Sequence, residues 1–225
     1  MDYRTQSPEE VKRHKLFEAQ SYLSVLAQTT PKEWRDSDSE LLKKNKEIFE
    51  WDEFAESFET YVEIDYFNAV ENILQNSKML EQKGIAPEGF VQKILNEPLP
   101  KSGETLLTGA LKNIVETHTT GKLSETMTHI GFLIGQGADV NAENKKNQYP
   151  VEFIMTGQKK GMKDSDFGII KSKGSSAYYH NTLFDGYQTV EDYIISHTSE
   201  KTHAALRNKK ATGLSILSKI RSSNR

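Results

Sequence analysis

The chain contains no cysteine. Disulfide scaffolds, cysteine-ligated zinc and thiol nucleophiles are excluded at once. Long hydrophobic runs are also missing. Nothing approaches the ~18 consecutive apolar residues of a membrane span, so none is expected. Met1-Asp2-Tyr3-Arg4 lacks the apolar stretch of a secretory signal, so a cytoplasmic protein is expected. Apolar residues are scarce overall, at 36% with a mean hydropathy of -0.66, which argues against one large central core. Aromatic residues are present in number (10 Phe, 9 Tyr, 2 Trp), which excludes a disordered polymer. A thin or repeat-built molecule satisfies both facts.

The net charge of -3 hides a division. Residues 1–100 carry 12 Lys/Arg and 20 Asp/Glu, whereas 101–225 carry 17 and 12. The basic half is too weakly charged and too poorly clustered to predict a nucleic-acid partner.

The first hundred residues read as helices. Ser7-Pro8-Glu9-Glu10 forms a capping-box start for a helix to about Gln28, with Leu16, Tyr22 (or Leu23) and Leu26 as its apolar stripe. A second helix opens at Ser39. Within it, 47–71 holds nine acidic residues and no Lys or Arg. Ile48, Trp51, Ala55, Phe58 and Val62 share one face at helical spacing, which predicts Asp52, Glu56, Glu59 and Glu63 outside. That acidic face is read mainly as solvated surface; the alternative is a groove or a carboxylate metal site. A third helix is expected over about 65–82, stopped by Gly84. Pro87 is expected to open another through Phe90, Val91, Ile94 and Leu95, ended by Pro98 and Pro100.

The most specific signal lies in 103–157. Gly103-Glu104-Thr105-Leu106-Leu107-Thr108-Gly109-Ala110 opens a helix. Gly137-Ala138-Asp139-Val140-Asn141 follows a second, and Tyr149-Pro150-Val151 opens the next. Gly137 stands where a helix must end left-handed, and Asp139 and Asn141 can tighten the projecting turn. This pattern resembles the ankyrin repeat, a turn and two antiparallel helices of about 33 residues. From Thr105 to Gly137 the step is about 11 residues longer than the family pattern, which places an insertion at 116–123. Asp185-Gly186 to Tyr193 resembles a third, weaker start, with Gly174 closing a helix that turns Phe167, Ile169 and Ile170 inward.

The resemblance implies an all-α fold: a short ankyrin-repeat solenoid with an N-terminal helical cap and a C-terminal helical end. The expected organisation is 1–64 as N-terminal cap, 65–198 as repeats and 199–225 as C-terminal cap and tail. The repeats are clear at 103–157 and degenerate at 65–98 and 158–198, with loops at 116–123 and 174–188. Caps are required because end repeats would otherwise expose apolar faces. Ala204, Leu206, Leu214, Leu217 and Ile220 would line the last one. Divergent single-domain members of this kind resemble effectors of intracellular bacteria, which implies delivery into a host cell by a non-classical secretion route.

No catalytic constellation stands out. The histidines show no i,i+4 pair, and there is no HExxH, nucleophile elbow, Walker loop or dinucleotide fingerprint. Gly157-Gln158-Lys159-Lys160-Gly161 lacks the Walker spacing and reads as a loop. No catalytic residue, metal site or cofactor is expected. The resemblance implies a protein partner, bound through the turns and the concave face. The implicated residues are Asp139, Asn141, Glu143, Asn144 and Lys145, with Tyr178 and Tyr179 in the overlong turn. The alternative is an enzyme with a site between the acidic helix and the 157–188 insertion.

Overall fold

The computed structural model describes residues 7–31, 34, 42, 49–63, 67–118, 124–167, 169–170 and 188–209. Tyr178, Tyr179, most of the 174–188 loop, the start of the second helix at Ser39, and Leu214, Leu217 and Ile220 lie outside them. The described residues form α-helices joined by tight turns, with one two-residue ladder. The chain divides into two compact units: Met1–Leu106 with Asn144–Lys146, and Leu107–Glu143 with Asn147–Arg225.

In the first unit, α1 (Pro8–Gln28) opens with the expected capping box. Ser7 Oγ accepts from the Glu10 N–H at 3.3 Å, and the Glu10 carboxylate accepts from the Ser7 N–H at 2.8 Å. α1 buries Ala19, Leu23, Leu26 and Ala27 and packs on α2 (Trp51–Glu63) and α3 (Phe67–Gln82). Its last carbonyls are taken by two asparagines one turn apart on α3. Asn76 Nδ2 donates to Leu26 O (2.8 Å) and Thr29 O (2.5 Å), and Asn72 Nδ2 donates to Ala27 O (2.9 Å). The Asn76 Oδ1 accepts from Trp34 Nε1 at 2.5 Å, so a fully buried amide is satisfied on both ends.

The core of this unit is aromatic. Phe54 stacks on Phe58 at 5.8 Å, and Phe90 of α4 (Phe90–Asn96) meets Phe54 and Phe49 edge-on at 4.8 and 5.2 Å. The buried face of α2 is therefore rotated from the predicted stripe. Phe54, Ala55 and Phe58 are buried, while Trp51 and Val62 are half-buried. Glu59, predicted outside, is fully buried; its partners are described below. α3 stops at left-handed Gly84 (φ 67), as predicted. α4 starts three residues after Pro87, because the Glu81 carboxylate accepts the Gly89 and Val91 N–H groups and fixes its first turn there.

In the second unit α5 (Leu106–Thr117), α6 (Ser124–Gln136) and α7 (Pro150–Lys159) are followed by a 3₁₀ turn at Asp164–Phe167. β1 (Ile169–Ile170) then pairs antiparallel with β2 (Gln188–Thr189), in the register Ile169↔Thr189 and Ile170↔Gln188. α8 (Val190–His197) and a last helix, α9 (200–209), complete it. Two sequence expectations are corrected here. Ile169 and Ile170 lie on a strand, not a helix; β-branched pairs suit that conformation. The fold is all-α as expected, with this two-residue ladder as its one extended element among the described residues. The glycine and lysine run at 157–161 is not all loop, since α7 continues to Lys159. Gly157 is needed inside that helix because fully buried Phe167 and Met162 press on it. A Cβ there would lie 2.5 Å from Phe167 Cζ and 2.8 Å from Met162 Sδ.

Gly157→Ala is expected to destabilise the fold by about 1–3 kcal/mol through overpacking, despite alanine's better helix propensity. Urea denaturation checks it; a midpoint raised by the substitution would refute the contact.

Candidate binding surface on the inter-helix turns

The first unit contributes the turn at 99–104. It is closed by Leu99 N–H to Glu104 O (2.9 Å) and Gly103 N–H to Leu99 O (3.0 Å). Beneath it lies Glu59, whose carboxylate accepts the Ser102 N–H at 2.6 Å and the Lys101 N–H at 2.8 Å. Burial alone pushes this carboxyl's pKa up. The bonds from Ser102 and from the Lys101 and Ser102 N–H groups outweigh burial and hold it below the ordinary 4.5.

Residues 144–146 run alongside that turn. Lys145 N–H donates to Gly103 O at 2.8 Å, and Lys145 Nζ donates to Pro100 O at 2.8 Å. Asn144 is buried; its Nδ2 donates to the Glu104 carboxylate at 2.6 Å, and its Oδ1 accepts from the Lys146 N–H at 2.9 Å. Gly103 is left-handed (φ 70), and a Cβ on it would lie 3.1 Å from Lys145 Cβ. Close approach and backbone sign both call for glycine.

The second unit has its own turn, after α6. Gly137 is left-handed (φ 103), with Gly137 N–H to Ile134 O and Ala138 N–H to Leu133 O, both at 3.0 Å. Asp139 Oδ1 accepts from the Asn141 N–H at 2.8 Å, as the sequence predicts. The Asn141 side chain then turns inward. Its Nδ2 donates to His197 O (3.0 Å), and its Oδ1 accepts from the Ser199 N–H (2.8 Å) and Thr202 Oγ1 (2.9 Å). It thereby ties the end of α8 to the start of α9. Glu143 is exposed and accepts the Tyr149 phenol, a bond that holds the phenol above its ordinary range.

Of the predicted contact residues, Asp139, Glu143 and Lys145 are exposed, Asn141 is half-buried and Asn144 is buried. Three carboxylates of the acidic stretch are engaged within their own unit. Lys15 pairs with Glu50 at 2.7 Å, Lys12 with Glu56 at 3.8 Å, and Glu59 holds the turn above it. Among the described residues no three His, Asp or Glu side chains converge as metal ligands, and no helix is long and apolar enough to cross a membrane. No protein-family model, curated protein or solved structure matches the chain.

Glu59 gives stability a defined acid dependence. Its folded pKa lies below the unfolded value, so its contribution is complete above about pH 4.5 and is lost as pH falls through the folded pKa. Glu59→Gln is expected to cost about 1–3 kcal/mol at pH 7, because the charge-assisted acceptor is lost. The variant's stability should also fall less steeply below pH 4.5 than the wild type's. Parallel pH profiles in chemical denaturation would exclude this role.

Proposed function

We propose that this chain is a protein-binding module built on divergent ankyrin-like repeats, recognising its partner through the exposed turns and the concave face. The carrying observation is a recurrence of turn chemistry at the motif's positions, across steps of 44 and 40 residues that are longer than the ~33 of the family unit. Helices begin immediately after Thr105, Tyr149 and Thr189, the three positions aligned with the repeat start. Two residues before the first two of these stand Gly103 (φ 70) and Asn147 (φ 55), both left-handed. Asn147 is the one non-glycine residue with positive φ among those described. The bond pattern at Gly137 recurs at Gly84, where the Gly84 N–H reaches Glu81 O and the Ile85 N–H reaches Leu80 O. That recurrence supports a degenerate unit over 65–98.

The resemblance to bacterial effectors gives the proposal its biological setting: a host protein as partner, reached by non-classical secretion. Glu143, Lys145 and the exposed neighbour Lys146 are the turn-tip contacts, with Tyr178 and Tyr179 as aromatic anchors. Asn141 and Asn144 act by shaping the turns, since their side chains are partly or wholly withdrawn from water into internal bonds, whereas Glu143 and Lys145 stay exposed while bonded. Segments 1–64 and 199–225 serve as caps.

Crosslinking from cell lysate should identify the partner. The Tyr178→Ala/Tyr179→Ala double variant should then weaken binding by at least about tenfold, as aromatic hot spots do, with helical circular dichroism unchanged. Full binding by that variant would remove the two tyrosines from the interface. The register has its own test. Asn147→Gly should leave stability unchanged or raise it, whereas Asn147→Val should cost about 1–2 kcal/mol for a β-branched residue held left-handed. Equal stabilities of the two variants in urea would count against that position.

A further inference from the structure

The last described helix, α9, is tied by side-chain bonds at its start and at its end. Its start is tied by Asn141, through the Ser199 N–H and Thr202 Oγ1. Its end is tied by Lys209, whose Nζ lies 3.0 Å from Glu152 Oε2, donates to Asn147 O and stands 4.7 Å over the Tyr149 ring. Along 200–209 only Thr202 is buried; Ala204, Ala205 and Leu206 are half-buried. A helix with so little buried apolar surface belongs to the low-stability part of a fold.

The corner that receives Lys209 is built by its own bonds. Pro150 starts α7, and the Glu152 carboxylate is fixed by the Tyr149 N–H at 2.8 Å. The Tyr149 phenol is anchored on Glu143, and left-handed Asn147 directs its carbonyl at the ammonium. A carboxylate, a carbonyl and an aromatic face converging on one point are the groups that recognise a primary ammonium.

We infer that the Asn147–Tyr149–Glu152 corner is a primary-ammonium recognition site, which the chain fills in cis with Lys209 and opens to an outside ammonium when α9 lifts. Lys209 is then a latch rather than a permanent strut. The inference rests on the corner itself and stands whether or not the turns belong to ankyrin-like repeats. Its ligand is a lysine side chain of a partner or a free alkylamine, which share the recognised group.

The test uses the full chain and its Lys209→Ala variant, with Lys209→Gln as a second replacement that keeps a polar stem. Each is titrated by NMR with Nα-acetyl-lysine amide, n-butylammonium and the uncharged Nα-acetyl-norleucine amide. In the variants, ammonium ligands should bind at least about tenfold tighter than to the wild type or than the norleucine analogue does, with shifts centred on Tyr149. Adding Tyr149→Leu should abolish this. Tighter binding of the lysine amide assigns the site to a protein lysine, and tighter binding of butylammonium to a free amine. Amide exchange along 200–209 should rise about tenfold on loss of the latch. Ammonium ligands that bind the well-folded variants no better than the norleucine analogue would overturn the site. Unchanged exchange would overturn the latch.

Discussion

Each described helix leaves about four N–H groups at its start and four carbonyls at its end without intrahelical partners. The described helices run from 7 to 21 residues, so such ends are frequent among the described residues. Their satisfaction organises the fold. Asn72 and Asn76 close the end of α1, Glu81 closes the start of α4, and Glu59 holds the turn before α5. Glu10, Thr189 and Glu152 close the starts of α1, α8 and α7. Buried polar side chains such as Glu59, Asn76 and Asn144 are thus not defects in a thin core. Asn76 takes carbonyls at a helix end, and Glu59 and Asn144 take N–H groups of turns; leaving such buried backbone groups unmade would cost about 1–3 kcal/mol each.

Local chemistry made part of this readable from sequence. Ser7 and Glu10 are three residues apart, Gly84 and Gly137 follow their own helices, and Pro150 stands at a first turn. In each case both halves of the interaction lie within a few residues. The partners that were not readable lie far along the chain. Glu59 meets Ser102 43 residues on, Asn76 meets Leu26 50 residues back, and Lys209 meets Asn147 across 62 residues. Helical periodicity assigned Glu59 to the solvated face because charge and spacing alone favour that. Two backbone N–H donors overrode it. Gly157 looked like loop punctuation for the same reason, since the Phe167 ring that demands a glycine is supplied by a later turn.

The candidate surface was legible to a similar degree. The position of the turn after α6 followed from Gly137 and Asp139, whose backbone requirements are local. The division of labour within it did not. Asn141 and Asn144 carry the chemistry of contact residues, yet their amides are consumed by His197, Ser199, Thr202 and Glu104. An amide at a turn tip can face outward or cap a neighbouring element, and only the neighbour's position decides.

The acidic stretch illustrates how one composition serves several ends. A run of carboxylates at helical spacing suggested a single electrostatic surface. In the fold, Glu50 and Glu56 face lysines of α1 with part of each side chain in water, where such pairs contribute about 0–1 kcal/mol. Glu59, on the same acidic stretch, is withdrawn from water and bonded to two N–H groups. Carboxylates of one stretch thus differ in role by the partners the fold brings to each. Loss of Glu50 or Glu56 changes a screened surface pair, whereas loss of the Glu59 charge strands two backbone donors beneath a turn that presents Lys145. The stability of the 99–104 turn therefore depends more on one buried carboxylate than on the screened pairs of its neighbours.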